Sequence, residues 1–134
     1  MELDKRIVEY ANVIISDAKL PLSEGNHLTE NQRHYVERIA AAAERLISIN
    51  DQYLPQSLPS DSEASHEKII VVVHDLRMPI ALMIGYCDVL EQYEDKSAWS
   101  EKEIETLKHI RDHIKIIEQL ITDFSYEQTK KQQS

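Results

Sequence analysis

The stretch 69-IIVVVHDLRMPIALMIGYCDVL-90 carries apolar residues at Ile69, Val73, Leu76, Ile80, Met83, Cys87 and Leu90. Alternating steps of four and three put these side chains on one face of an α-helix, in heptad register. A half-buried strand would instead repeat at every second residue. The stretch therefore predicts a long helix with one buried seam, starting near Ser62 or Ser65 and ending at about Glu94. The same run also holds His74, Asp75 and Arg77, with Pro79 two residues further on.

Three further helices follow from the flanking sequence. The first spans about Glu2 to Lys19 on the seam Leu3, Ile7, Ala11, Ile14 and Ala18. Pro21 is expected to end it, because a residue before proline is pushed out of the α region. The second begins at Thr29, where T-E-N-Q reads as a capping box: the Thr29 hydroxyl accepts from the Gln32 amide, and the Gln32 side chain reaches back. It runs to about Tyr53 through Val36, Ile39, Ala43 and Leu46. The fourth opens on a second box, S-E-K-E at 100–103, flanked by Trp99 and Ile104 at the positions of a hydrophobic staple. Its seam is Leu107, Ile110, Ile114, Ile117, Ile121 and Phe124. Between the second and third helices, 55-PQSLPSDSEAS-65 reads as a linker, and 130-KKQQS-134 reads as a frayed tail.

Sliding the chain by 71 residues (100 − 29) lays the second helix on the fourth. Thr29 then falls on Ser100, Val36 on Leu107, Ile39 on Ile110, Leu46 on Ile117 and Tyr53 on Phe124. The chain reads as two copies of one helical hairpin, residues 1–54 and 66–128, joined by the linker 55–65. One hairpin cannot bury two apolar stripes alone, so the two together are expected to form one domain, an all-α antiparallel four-helix bundle. A length of 134 residues suits a single core. With only Gly25 and Gly85 as glycines, the turn chemistry of an all-β fold is absent.

Composition narrows the function classes. A net charge of −9 argues against nucleic acid as a partner. The single cysteine, Cys87, falls on a seam and fits a reducing, cytoplasmic setting. No run approaches the ~18 consecutive apolar residues of a membrane span, and MELDKR has no signal-peptide pattern, so no membrane partner is expected.

With Val73 at heptad position a, His74 is at b, Asp75 at c and Met78 at f, all directed away from the seam. Val71, Met78 and Leu82 would form an apolar strip on the same outer face, which suggests a docking surface. Pro79 removes one amide donor and crowds the Asp75 carbonyl, so a local bend is expected. Neutral imidazole is a nucleophile near neutral pH, and an adjacent carboxylate can orient its N–H. The plainer reading is a surface histidine beside a surface acid. His109 and His113 stand i, i+4, a spacing that can chelate a metal. No third ligand is evident, so a solvated helix face is the better reading and no metal site is expected. His27, His34 and His66 are scattered.

H74-D-L-R-M-P-I, with Gly85-Tyr86 and Asp88-Val89-Leu90, resembles the H-box of sensor histidine kinases, on the first helix of their dimerisation and histidine-phosphotransfer (HisKA) domain. The segments 29–54 and 100–124 resemble that domain's second helix. The resemblance implies that His74 is a phosphoacceptor, that Asp75 is its acid/base neighbour, and that Arg77 and Pro79 are the motif's arginine and helix-bending proline. In the family two subunits supply the two hairpins, so this chain resembles a covalent pseudo-dimer. A monomer near 15.6 kDa is then expected, with a homodimer as the alternative assembly.

Three departures from the family matter. Met78 replaces a polar residue associated with positioning water for phosphatase action. The first hairpin offers Leu3 or Lys5, by register, where a second histidine would stand. No segment resembles the ATP-binding domain, so the chain is not expected to act alone as an ATP-dependent kinase, and a piece of a longer kinase is one alternative.

The resemblance implies a phosphotransfer component of two-component signalling, which relays a phosphoryl group between His74 and a response-regulator receiver. No intrinsic cofactor is then expected, and Mg²⁺ would sit on the partner receiver. The alternative is a non-catalytic adaptor or inhibitor that binds a response regulator or sensor kinase without being phosphorylated.

Overall fold

A computed structural model describes residues 2–23, 28–53 and 63–133. These form α1 (Glu2–Ser23), α2 (Glu30–Tyr53), α3 (Glu63–Gln92) and α4 (Glu101–Gln133). Gly25, His27 and the linker up to residue 62 lie outside the described residues, as do the side chains of Tyr53 and His66.

The helices form an all-α four-helix bundle. α1 packs on α2 and α4, and α3 packs on the same two helices. Pairs across each interface run in opposite chain directions. In α1/α2 they are Asn50 to the Asp4 carbonyl and Arg33 to the Leu22 carbonyl. In α3/α4, Arg111 meets Asp88 and Glu91 while Arg77 faces Glu118, and in α2/α3 Tyr35 meets Tyr86 while Gln32 reaches Asp95 just beyond α3. Across α1/α4, Asp17 meets His109 while Tyr10 meets His113. The bundle is therefore antiparallel throughout, with two hairpins side by side.

Its core is the set of seams. Every heptad residue of α3 from Ile69 to Leu90 is buried, as are Ile7, Ile14, Ile39, Leu46, Ile114, Ile117 and Ile121. Each large aliphatic side chain withdrawn from water contributes about 1.5–3 kcal/mol. Residues related by the 71-residue offset share burial: Val36 with Leu107, Ile39 with Ile110, Leu46 with Ile117. Asn50 and Ile121 share burial too, but there a polar side chain stands opposite an apolar one. The Asn50 amide donates to the Asp4 carbonyl at 3.1 Å, while its buried Oδ1 has no partner among the described residues.

Both capping boxes form. The Thr29 amide donates to Gln32 Oε1 and the Gln32 amide to Thr29 Oγ1, each at 3.1 Å. Ser100 and Glu103 repeat the exchange at 2.9 and 3.1 Å. Gln32 goes further, because the buried indole N–H of Trp99 donates to its Oε1 at 3.0 Å, and its Nε2 donates to the Asp95 carbonyl at 2.6 Å. One carboxamide thus caps α2 and fastens the first hairpin to the α3–α4 connection. Asp95 is shaped for this place. The Ser97 backbone N–H donates to its Oδ1 and holds its carboxyl below the usual range.

Three expectations are corrected. Pro21 does not end α1, which continues to Ser23. The Pro21 ring is buried beside Val36, Ile39 and Trp99, and that packing offsets the one helical hydrogen bond that proline forfeits. The 130–134 tail is helical to Gln133, a continuation of α4. Finally, Glu67–Gln92 is long and apolar enough to cross a membrane by length and composition. The reason is that α3 is apolar on its outer strip as well as on its seam.

Replacing Gln32 with alanine removes a cap and two inter-hairpin hydrogen bonds. It should lower unfolding stability by about 2–4 kcal/mol in denaturant titration, with the slope unchanged. Asn50→Ile, which copies its counterpart Ile121, should raise stability by about 1 kcal/mol in the same assay, because it removes a buried acceptor that has no partner.

Candidate functional site

His74 stands on the outer face of α3, one step off the buried seam between Val73 and Leu76. Its side chain is 72 % exposed, and its Nδ1 lies 3.4 Å from Asp75 Oδ1, a long contact made from the side by an adjacent residue. Asp75 is half-buried, at 34 %. Helical spacing places Ile70 and Val71 one turn before His74, and Arg77 and Met78 one turn after it. Ile70, Val71, Met78 and Leu82 are all exposed. Apart from Asp75 and Arg77, the exposed side chains around this ring are apolar.

Two grooves flank the crest that His74 occupies. One, of about 430 Å³, runs between α2 and α3. Asp75, Met78, Pro79 and Leu82 form its α3 wall, and Arg38 and Arg45 stand on its α2 wall. The other, of about 350 Å³, lies between α3 and α4, where Arg77, Ile80 and Ile84 face Glu118. The residues singled out from the sequence thus separate. Asp75, Met78 and Pro79 border the first groove and Arg77 the second. Spacing alone reads the α2 residues Arg38 and Arg45 as solvated helix charges and passes over Ile70 in the apolar frame. Ile70 was recoverable from its position one turn before His74. The arginines were not, since only the packing of α2 on α3 brings them alongside.

Pro79 is buried within an α3 assigned as helix from Glu63 to Gln92. Gly85 is exposed in the same helix, and a methyl group added there would touch nothing within 4 Å. Cys87 is free and buried, and burial pushes its thiol up to about 12, which keeps it protonated and inert. Below the site, Arg111 of α4 donates to Glu91 at 2.9 Å and also to Asp88. Those partners, Glu91 first, raise its pKa and brace α3 on α4.

The first hairpin presents no equivalent site. Leu3, Ile7, Ile14 and Ala18 are buried like Val72, Leu76, Met83 and Cys87, an offset of 69 residues (76 − 7). Lys5 is therefore the counterpart of His74, and it is exposed. Leu3, the other candidate, belongs to the core.

No family model, curated protein or solved structure matches this chain. The H-box resemblance therefore rests on the residues themselves.

Gly85→Ala should raise stability by about 0.5–1 kcal/mol, read as a higher unfolding midpoint, because alanine has the greater helix propensity and meets open space here.

Proposed function

We propose that the chain is a histidine-containing phosphotransfer component of two-component signalling, which relays a phosphoryl group through His74 to or from the receiver domain of a response regulator. The observation that carries this reading is the exposed imidazole of His74, its Nδ1 beside the Asp75 carboxylate, inside an apolar frame. With the proton of the neutral ring on Nδ1, the Nε2 lone pair is free to attack. In transfer from a receiver, Nε2 attacks the phosphorus of an aspartyl phosphate. A P–N bond forms, the P–O bond breaks, and the receiver carboxylate leaves with the electron pair. The positive charge gained by the ring rests on Nδ1–H beside Asp75. The receiver supplies Mg²⁺ and the groups that neutralise the transferring oxygens, so this chain need supply only nucleophile, orienting carboxylate and docking surface. Ile70, Val71, Met78 and Leu82 suit an apolar patch on the partner around that centre.

Met78 favours a second reading. It is exposed one turn from His74, and its thioether is too weak an acceptor to position an attacking water. This supports an adaptor or inhibitor that binds a receiver or a sensor kinase by the same face without being phosphorylated.

The two readings part on one experiment. The chain is mixed with a receiver carrying a labelled aspartyl phosphate, and separately with a sensor kinase and labelled ATP. The relay reading expects acid-labile label on the chain, lost in His74→Ala, and a transfer rate about 100-fold lower in Asp75→Asn. An unlabelled chain that still binds the receiver, and binds it equally well as His74→Ala, would overturn the relay and leave the adaptor.

A further inference from the structure

The bundle has two seams between its hairpins, and they are built differently. On the α2/α3 side is the groove beside the His74 crest. Applying the offsets of 69 to α1 and 71 to α4 brings Tyr10 onto Pro79, Asp17 onto Tyr86, His109 onto Arg38 and His113 onto Ala42. All four counterparts line that groove. On the α1/α4 side the same positions hold a cluster of a carboxylate, two imidazoles and a phenol.

Its hydrogen bonds set the tautomers. His113 Nδ1 lies 2.9 Å from the His109 carbonyl oxygen. A carbonyl oxygen only accepts, so Nδ1 carries the proton and the Nε2 of the neutral ring is a bare lone pair. His109 Nδ1 lies 2.5 Å from Asp17 Oδ2. An ionised carboxylate also only accepts, which puts the proton of that ring on Nδ1 and leaves its Nε2 bare as well. The two rings are one helical turn apart, with centroids separated by 4.2 Å. Tyr10 lies against the second ring at 5.6 Å. His109 is 53 % exposed, so the cluster opens to solvent.

A histidine that ligates a metal through one nitrogen ordinarily donates its other N–H to a carboxylate or a backbone carbonyl, which orients the ring and raises its basicity. Here one ring has the carboxylate and the other has the carbonyl, before any metal is present. Histidines at i, i+4 on a helix can converge on one ion. Imidazole nitrogen selects Zn²⁺, Ni²⁺ or Cu²⁺ over Mg²⁺ and Ca²⁺. We propose that His109 and His113 form a two-point chelate for such a transition-metal ion through their Nε2 atoms, with Asp17 as the positioning residue of His109. No group of three or more His, Cys, Asp or Glu is arranged to hold a metal among the described residues, so water completes the coordination and the site stays open to an outside ligand. Because Asp17 belongs to α1 and both histidines to α4, the site sits on the α1/α4 seam, with the Asp17–His109 hydrogen bond as its link to α1.

The test uses the full chain, titrated with ZnCl₂ in a calorimeter, with MgCl₂ as the control. The proposal expects saturable Zn²⁺ binding, no response to Mg²⁺, and an unfolding midpoint that rises with Zn²⁺ and returns on adding chelator. The His109→Ala/His113→Ala double variant should lose the binding while keeping its helical circular dichroism. Asp17→Ala should keep the site but weaken it by about 10–100-fold. Absence of saturable Zn²⁺ binding to the native chain would overturn the chelate. Binding that survives in the double variant would assign the ion to other histidines and overturn it equally. An unchanged affinity in Asp17→Ala would remove the positioning role of Asp17.

Discussion

Four apolar seams must leave water together, and neither hairpin can accomplish this alone. Within α3 the seam from Ile69 to Leu90 is buried only because α2 and α4 both close over it, and the same holds for each other helix in turn. This shared burial supplies most of the stabilisation, but it is nearly indifferent to small axial slips of one hairpin against the other. Gln32 removes the indifference. Its carboxamide is satisfied only when the Thr29 amide, the Trp99 indole and the Asp95 carbonyl all converge on it. A slip would leave a buried amide and a buried indole without partners, at a cost of about 1–3 kcal/mol for each group.

The two hairpins share a register of buried positions, and the chemistry lies in their differences. Counterpart positions carry His74 against Lys5, and Asn50 against Ile121. The two seams between hairpins diverge in the same way, one holding an open groove beside an exposed histidine and the other a carboxylate–imidazole cluster. Substitutions on outer positions leave the seams untouched, so the two hairpins can differ in function while their seams, Asn50 against Ile121 apart, stay apolar. Hydrophobic burial is non-directional and tolerates this, whereas hydrogen bonding at Gln32 does not.

Some features were legible without coordinates and others were not. The capping boxes at Thr29 and Ser100, the α3 seam and the outward placement of His74 follow from spacing, because helical geometry is local. Pro21 was misread because the rule that proline ends a helix is a local one. Its ring is buried against Val36, Ile39 and Trp99, residues distant in sequence. The apolar content of α3 was underestimated because the seam and the outer strip were counted as separate faces, while their sum along Glu67–Gln92 reaches the composition of a membrane span. His109 and His113 read as a solvated pair because Asp17, the group that orients one of them, comes from the opposite end of the chain.

By itself, the sequence determined the four helices, the heptad seams, the doubled hairpin and the exposure of His74. Each is a consequence of the 3.6-residue period and of side-chain capping within a few residues. Tertiary structure alone decided what stands beside those faces: Arg38 and Arg45 across the groove from Asp75, Trp99 on Gln32, and Asp17 on His109. The reason is physical. Periodicity states which side of a helix turns inward, but the partner it meets depends on axial position and on which helices are neighbours. Those are settled by packing the four seams together and by satisfying the few polar groups caught between them.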